Sequence, residues 1–290
     1  MEYTDKIYGD YELSEIIEEL IKTNIFQRLK KIHQGGAIIL VNSEINHTRY
    51  DHSIGVMLLI KKLGGEIEEQ IAGLIHDISH TAFSHLIDYV LENEKEDYHE
   101  KRFEEILEDK ELITILKRNK FNPSNFSNIE QFKMLEYPLP SLSADRIDYT
   151  LRDLYQLNQI SKEEIDWFLN GLQIYEKRIV LKSVEYGKWF QSKYDYLVNE
   201  YFGGKENIEI NIIMTKIVQD CMADGIIEEK DFYQDDDYLL EKINQSINLM
   251  ERIAAIRSQG VIMEKLKTKK RMINPEIFIN NQVLRLSEIN

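Results

Sequence analysis

Cysteine is nearly absent. Cys221 stands alone among 290 residues, so the chain can form no intramolecular disulfide and no zinc cluster built on thiolates. Proline is scarce as well, four in all, and the 13 glycines gather in no Gly/Ser-rich or Pro-rich stretch. No flexible linker marks a boundary, and no internal repeat of about 20 to 50 residues is present. No apolar run approaches the roughly 20 residues that a membrane-spanning helix needs. The first residues, "MEYTDKIYGDYEL", are acidic and polar where a signal peptide is basic and then apolar. The expectation is a soluble, cytoplasmic protein without a membrane partner. Positive charge is also short, 36 Lys and Arg against 51 Asp and Glu, for a net charge of −15. Broad affinity for nucleic acid comes from Lys and Arg neutralising phosphates, so nucleic acid is not an expected partner. A small polyanion stays compatible, because a cleft can focus a local cationic field that the total charge conceals. The one basic run, "KLKTKKR" at 265–271, suits either a phosphate-bearing partner or a solvated helix end or loop.

What is present is helical periodicity over a 43% hydrophobic chain, enough for a sizeable core. "LSEIIEELIKTNIFQRLKKI" places Leu13, Ile16, Ile17, Leu20, Ile21 and Ile25 at three- and four-residue spacings, an amphipathic helix with a break near Thr23. "GGAIILVNSEINHTRY" reads as an irregular loop. A helix then opens near His52 and stops at the Gly64-Gly65 pair. The next, "EIEEQIAGLIHDISH", is apolar at Ile67, Ile71, Leu74, Ile75 and Ile78, and would carry His76 and His80 on one face. "SADRIDYTLRDLYQL" presents Asp145, Asp148, Tyr149, Arg152 and Asp153 at helical spacing. Strand patterns occur at "LQIYEKRIVLKSVEY" (172–186) and at "IFINNQVLRLS" near the C-terminus, each a small hairpin. The fold class expected is mainly α with minor β-hairpins in the C-terminal part.

The segment "HDISHTAFSH" (76–85) holds three of the seven histidines and an aspartate. Imidazole and carboxylate are ligands for divalent metals, and a His-Asp pair on an apolar helix offers two of them to one ion. The zincin pattern also spaces histidines by four, but there the intervening acid is Glu, a base and not a ligand. Core histidines bonded to backbone or to Asp88 are the bland alternative; the neighbouring "RYDHS" and "SADRIDY" argue for a site. An ion held there with positions left open can take water and a phosphoryl oxygen. Water bound there has its pKa lowered from near 16 toward about 7, so hydroxide attacks phosphorus at neutral pH. The charge that develops needs further cations, which Arg49 and Arg146 could supply as bidentate forks.

The order His52, then His76-Asp77, then Asp145 resembles the H…HD…D signature of the HD superfamily of metal-dependent phosphohydrolases. "FQRLKKIHQGGAIILVNSEINHTRYDHSIGV", "QIAGLIHDISHTAFSHLID", "YHE" and "DRIDYTLRD" are similar to the deoxynucleotide triphosphohydrolase branch, which includes bacterial dGTPases. The resemblance covers roughly residues 10 to 160 and implies an HD-domain helical bundle. It suggests a catalytic core over 1–160 and a helical C-terminal extension with a short β-hairpin over 161–290, packed on that core. It implies His52, His76, Asp77 and Asp145 as metal ligands, and His80 beside the scissile phosphate as proton donor or charge stabiliser. Asp88 would be the acid that orients His80, and His99 a second active-site histidine. Arg49 would bind phosphate, and Gln34, Tyr149 and Asp153 would contact the sugar. The implied cofactor is a divalent transition metal (Fe, Mn, Ni, Co or Zn) or Mg, with a second ion possible if His80 and His85 ligate. The implied partners are a small-molecule nucleotide and further copies of the chain in a homo-oligomer.

Other readings stay open at this level. Arg49 could pair with Asp51, Tyr149 could be core, and Asp153 with Arg152 a surface pair. His33 and His47 have no assigned role. Where the triphosphohydrolases carry cations that grip the phosphate tail, this chain has "LVNEYFGGKENIEINIIM", with Lys205 its only cation. The leading expectation is release of triphosphate from a dNTP. The alternatives are a nucleotide monophosphatase or phosphodiesterase, or a non-catalytic HD nucleotide-binding protein.

Overall fold

The computed structural model describes residues 1–261 and 271–289. A two-stranded hairpin, β1 (Glu2–Asp5) and β2 (Gly9–Glu12), leads into helices α1 (Glu15–Lys22), α2 (Asn24–Arg28), α3 (Arg49–Lys62), α4 (Ile67–Ile75), α5 (Leu86–Val90), α6 (Tyr98–Ile106), α7 (Lys110–Arg118), α8 (Ala144–Gln156) and α9 (Lys162–Asn170). Strands β3 (Leu172–Tyr175) and β4 (Arg178–Leu181) precede α10 (Val184–Tyr196), α11 (Lys205–Ala223), α12 (Asp236–Asn244) and α13 (Leu249–Ser258), and β5 (Glu276–Ile279) and β6 (Gln282–Arg285) close the chain. The fold is predominantly α-helical with small hairpins, as an HD-type helical bundle is.

Helix α3 is the axis of the bundle. Every residue from His52 to Ile60 is buried, and a helix apolar nearly all round belongs in the interior. It packs against α4 on one side and α8 on another. Thr48 caps it in a capping box with Asp51, each side chain accepting from the other's backbone N–H. The helix therefore starts three residues earlier than the sequence suggests, which brings Arg49 into its first turn. Gly64, at φ +82° just past the last turn, ends it with backbone geometry that favours glycine. Helix α4 stops at Ile75 and does not run on to His80 as expected. Residues 76 to 84 form a turn-rich segment, and Phe83 and Ser84 take the left-handed conformation at φ +55° and +53°.

That segment is clamped from outside. Arg28 donates to the carbonyls of Ile78 (2.9 Å) and His80 (2.8 Å), and Ala82 N–H donates to Phe232 O. Asp236 accepts from the N–H of Phe83 and of His33. The buried ends of α2 and α12 thus fix the loop that carries the histidines.

The two C-terminal hairpins form as the alternating patterns indicate, with Glu176-Lys177 and Asn280-Asn281 at positive φ in their two-residue turns. They join into a single sheet of order β3-β4-β5-β6 through a parallel β4–β5 contact at Leu181 and Ile277. The N-terminal hairpin β1–β2 has no counterpart in the sequence reading. No helix among the described residues is long and apolar enough to cross a membrane.

Candidate active site

Four side chains from three elements converge. His52 comes from the N-terminal part of α3, His76 and Asp77 from the turn that follows α4, and Asp145 from the first turn of α8, whose start is capped by Ser143. His52 Nε2 lies 3.0 Å from Asp145 Oδ1 and 3.7 Å from Asp77 Oδ2. His76 Nε2 lies 3.5 Å from Asp77 Oδ1 and 3.7 Å from Asp145 Oδ1. The outer nitrogens are taken: His52 Nδ1 bonds Asp148 Oδ2 at 2.8 Å, and His76 Nδ1 bonds Gly73 O at 2.8 Å. Each imidazole therefore turns Nε2 inward with its orientation fixed, the arrangement that metal-ligating histidines require. His76 Nε2 is buried without a hydrogen-bond partner among the described residues. Donors around one ion at bond lengths of about 2.0–2.2 Å sit about 3 Å apart or slightly more; His52, His76 and Asp77 have donor atoms within reach of a common ion, and Asp145 Oδ1 stands beside the two imidazoles.

Electrostatics point the same way. Burial opposes charge on Asp77, yet His76, Arg49 and His52 hold its carboxyl well below the usual range. Burial likewise opposes charge on Asp145, but the hydrogen bond to His52 and the neighbouring His76 imidazole depress it. The His52 imidazole, despite burial, is raised to about 9 by its bonds to Asp145 and Asp148. Carboxylates ionised in a buried site hold cationic partners when no metal neutralises them.

Asp148 is the orienting residue that the sequence reading did not assign. Fully buried and held at a pKa of about 2, it overcomes the penalty of burial through Arg152 and His52. Arg152 donates to both its oxygens, at 3.0 and 2.9 Å, and to Asp5 at 3.1 Å. Arg152 is thus buried within this network and is no surface partner of Asp153. The signal was available: Asp148 falls three residues after Asp145 and four before Arg152, on one helix face.

A second group of imidazoles adjoins the first. His80 and His99 stack with centroids 3.9 Å apart, and His85 meets them edge-on at 5.1 and 5.4 Å. His80 Nε2 is 3.5 Å from Asp77 Oδ1. Asp88 was expected to orient His80; it bonds His85 Nδ1 instead, at 3.0 Å, and is itself held by Asn93 and the Tyr98 N–H. Burial, with Arg49 and His99 beside it, drives His80 far below the ordinary imidazole pKa, and burial, with His85 beside it, lowers His99 to about 3. Both rings are neutral. Asp77, His80 and His99 form one further set of donors within reach of a common ion, and His85, Asp88 and His99 another.

Arg49 does not pair with Asp51. Its Nη1 donates to Asp77 Oδ2 at 2.6 Å and its Nε to Ser84 Oγ at 2.9 Å. These groups line a cavity of about 750 Å³ that also takes in Gln34, Arg146, Tyr149, Asp153 and Arg271, within the size range of small-molecule sites. Arg146 faces it with its guanidinium committed to Tyr137 O, Ser141 O, Ser143 Oγ and Glu136. Tyr149 is a wall residue whose hydroxyl bonds that of Tyr194 at 3.1 Å. Asp153 is buried, 2.9 Å from His47 Nε2 but not aligned to bond it, and His47 Nδ1 is held by Gln156. Gln34 Oε1 is a buried acceptor without a hydrogen-bond partner among the described residues, and the contact of Asp153 Oδ1 is the His47 imidazole. Lys205 is exposed and lies off the cavity. Of the basic run at 265–271, the first six residues lie outside the described residues, and Arg271 reaches the cavity wall.

A helical bundle that brings two imidazoles and two carboxylates together, beside a nucleotide-sized cavity with arginines on its walls, defines the metal-coordinating active site of an HD-type phosphohydrolase. The HD-domain family model matches residues 49–153. The uncharacterized protein YdhJ of Bacillus subtilis is 39% identical over 100% of this chain and 92% of its own. The chain belongs to the HD-domain superfamily of metal-dependent phosphohydrolases. The metal-dependent phosphohydrolase cns2 of Cordyceps militaris is 28% identical over 89% of this chain and 77% of its own. A deoxynucleoside triphosphate triphosphohydrolase SAMHD1 homolog of Dictyostelium discoideum is also 28% identical, over 86% of this chain and 54% of its own.

Proposed function

We propose that the protein hydrolyses deoxynucleoside triphosphates to deoxynucleoside and triphosphate. The observation that carries this reading is the buried acceptor Gln34 Oε1, without a hydrogen-bond partner among the described residues, together with the Asp153 carboxylate, in the cavity that His76, Asp77 and Asp145 also line. A buried acceptor left unbonded costs about 1–3 kcal/mol, and sugar hydroxyls are the donors that would satisfy both. Tyr149, one turn after Asp145 on α8 and held by Tyr194, is placed to pack over C2′ and crowd out a 2′-hydroxyl. The named activity of the Dictyostelium relative supports the same reading.

His52, His76, Asp77 and Asp145 would hold a divalent ion, which supplies Lewis acidity toward a phosphoryl oxygen and an activated water as nucleophile. The protein's own groups do the rest. Arg49, fixed by Asp77 and Ser84, presents its remaining N–H groups to the negative charge on the α-phosphoryl oxygens. His80 and His99, stacked and neutral, can donate N–H bonds without adding charge beside Asp77. As the water oxygen bonds to the α-phosphorus, the bond from phosphorus to O5′ breaks, and O5′ must take a proton. His85, oriented by Asp88 in the same way that a carboxylate orients a general-acid imidazole, is the donor.

Product analysis by anion-exchange chromatography tests this, using a dNTP and a panel of divalent ions. Tripolyphosphate and deoxynucleoside are expected. Orthophosphate or pyrophosphate as first product replaces the reading with a stepwise phosphatase or a pyrophosphohydrolase. Asp77→Ala should lose both metal and turnover, and full metal occupancy in that variant would remove the donor assignment.

A further inference from the structure

The phosphate tail of such a substrate needs cations, and the segment after α10 supplies only the exposed Lys205. The cavity offers three arginines among the described residues. Arg49 is neutralised by Asp77 at 2.6 Å, and Arg146 is committed to four acceptors. Arg271 has one hydrogen-bond partner among the described residues, Glu96, at 2.7 Å. We propose that Arg271 is a substrate-binding residue that recognises the phosphates beyond the scissile one, giving up its contact with Glu96 to do so. The inference rests on the triphosphohydrolase reading above and deepens it.

Position supports it first. The Arg271 guanidinium lies 5.6 Å over the Phe202 ring, and Phe202 is 6.3 Å from Tyr149, one turn along α8 from the metal donor Asp145. Arg271 therefore stands over the wall that leads away from the metal centre. Stacking on an aromatic face fixes the plane of a guanidinium and leaves its edge, with the paired N–H donors, for a ligand. The ring it stacks on is delivered by an irregularity: residues Leu197–Phe202 form a π-helical turn before Gly203 and Gly204, and such turns recur at functional sites.

Chemistry argues for phosphate over a nucleobase edge. A guanidinium has donors only and a fixed positive charge, matching the paired acceptor oxygens of a phosphate. Glu96 is 4% exposed at its side chain and Arg271 is 25% exposed. The carboxylate thus holds the arginine in place before substrate arrives, while the guanidinium keeps an accessible edge. Glu96 also belongs to the loop in which Asn93 bonds Asp88, so the same short segment orients the His85 acid and stations the phosphate contact.

The test uses the full chain with two readouts. The first is binding of inorganic tripolyphosphate to the metal-free protein by titration calorimetry at low and high salt. The second is the division between kcat and KM for a set of dNTPs that differ in base. Arg271→Gln should weaken tripolyphosphate about 10- to 100-fold, the range for a lost charged hydrogen bond, and flatten the salt dependence. KM should rise by a similar factor for every base, with kcat falling less. Arg271→Lys, which keeps the charge and loses the fork, should be intermediate, and Glu96→Gln should tighten tripolyphosphate. Unchanged tripolyphosphate affinity in Arg271→Gln, or a KM effect confined to one base, overturns the proposal, as does weaker binding in Glu96→Gln. If the parent protein hydrolyses no nucleoside triphosphate, the functional reading fails on its own evidence, and the calorimetric comparison still decides whether Arg271 binds a phosphate chain.

Discussion

Asp148→Asn separates the support of the metal centre from its ligands. Asp148 is fully buried and shared: Oδ2 accepts from His52 Nδ1 at 2.8 Å and from Arg152 Nε at 3.0 Å, and Oδ1 accepts from Arg152 Nη2 at 2.9 Å. Asparagine keeps one acceptor and puts an NH₂ group where the other oxygen was. If its oxygen serves His52, its NH₂ faces the Arg152 fork donor against donor; if it serves Arg152, His52 loses its anchor. Removing one member of a buried ion pair costs about 3–5 kcal/mol because the other charge stays behind. Arg152 keeps Asp5 at 3.1 Å, so a smaller cost than that range, about 2–3 kcal/mol, is expected here. At about 2–4 °C of melting temperature per kcal/mol, the metal-stripped variant should melt roughly 4–12 °C below the parent. The effect on metal is distinct, since losing an outer-shell partner of a ligating histidine lowers metal affinity about 10- to 100-fold. Calorimetric melting in chelator measures the first effect, and competition against a chelator of known affinity measures the second. A variant that melts lower yet binds metal within twofold of the parent refutes the orienting role and leaves Asp148 as a structural ion pair. A variant unchanged in both refutes the whole account.

Three other perturbations address neighbouring groups. A Cβ on Gly55 would lie 2.0 Å from Arg152 Nη2 and 2.1 Å from Asp148 Oδ1, so Gly55→Ala should displace the same network and lower both melting temperature and metal affinity, despite alanine's better helix propensity; a more stable Gly55→Ala protein would show that the network can yield at no cost. His85→Gln should retain its metal and lose about 10²- to 10⁴-fold in kcat, the usual contribution of a general acid, whereas the same loss in His80→Gln with an active His85→Gln would move the proton-donor role to His80. Tyr149→Ala should narrow the preference for dNTP over NTP in kcat/KM, since exclusion by an apolar wall is worth about 1–3 kcal/mol; equal turnover of paired substrates by the parent protein would remove the deoxyribose reading.

What the sequence made legible follows from where the free energy is local. The ligand set could be read because imidazoles and carboxylates are costly on apolar helices, so "HDISH" beside Ile71, Leu74 and Ile75 stands out without any knowledge of packing. The hairpins at Glu176-Lys177 and Asn280-Asn281 could be read because alternation and turn residues lie within a few positions of each other. Their union through Leu181 and Ile277 could not, because that pairing spans almost a hundred residues of intervening chain and leaves no local trace. The N-terminal hairpin escaped for a different reason: β1 and β2 are short, largely polar and half exposed, and their residues do not differ from those of a loop. The end of α4 at Ile75 is set by tertiary clamps, Arg28 on the carbonyls of Ile78 and His80 and Asp236 on the N–H of Phe83, so periodicity carried the helix five residues too far. That error has a chemical consequence. On a continuous helix His80 would sit one turn above His76; with the helix broken, the turn carries His80 onto His99, and Asp88 bonds His85. The assignment of an acid to its imidazole thus depends on a helix end that no nearby residue announces, whereas Asp148 could have been identified from its spacing to Asp145 and Arg152 alone.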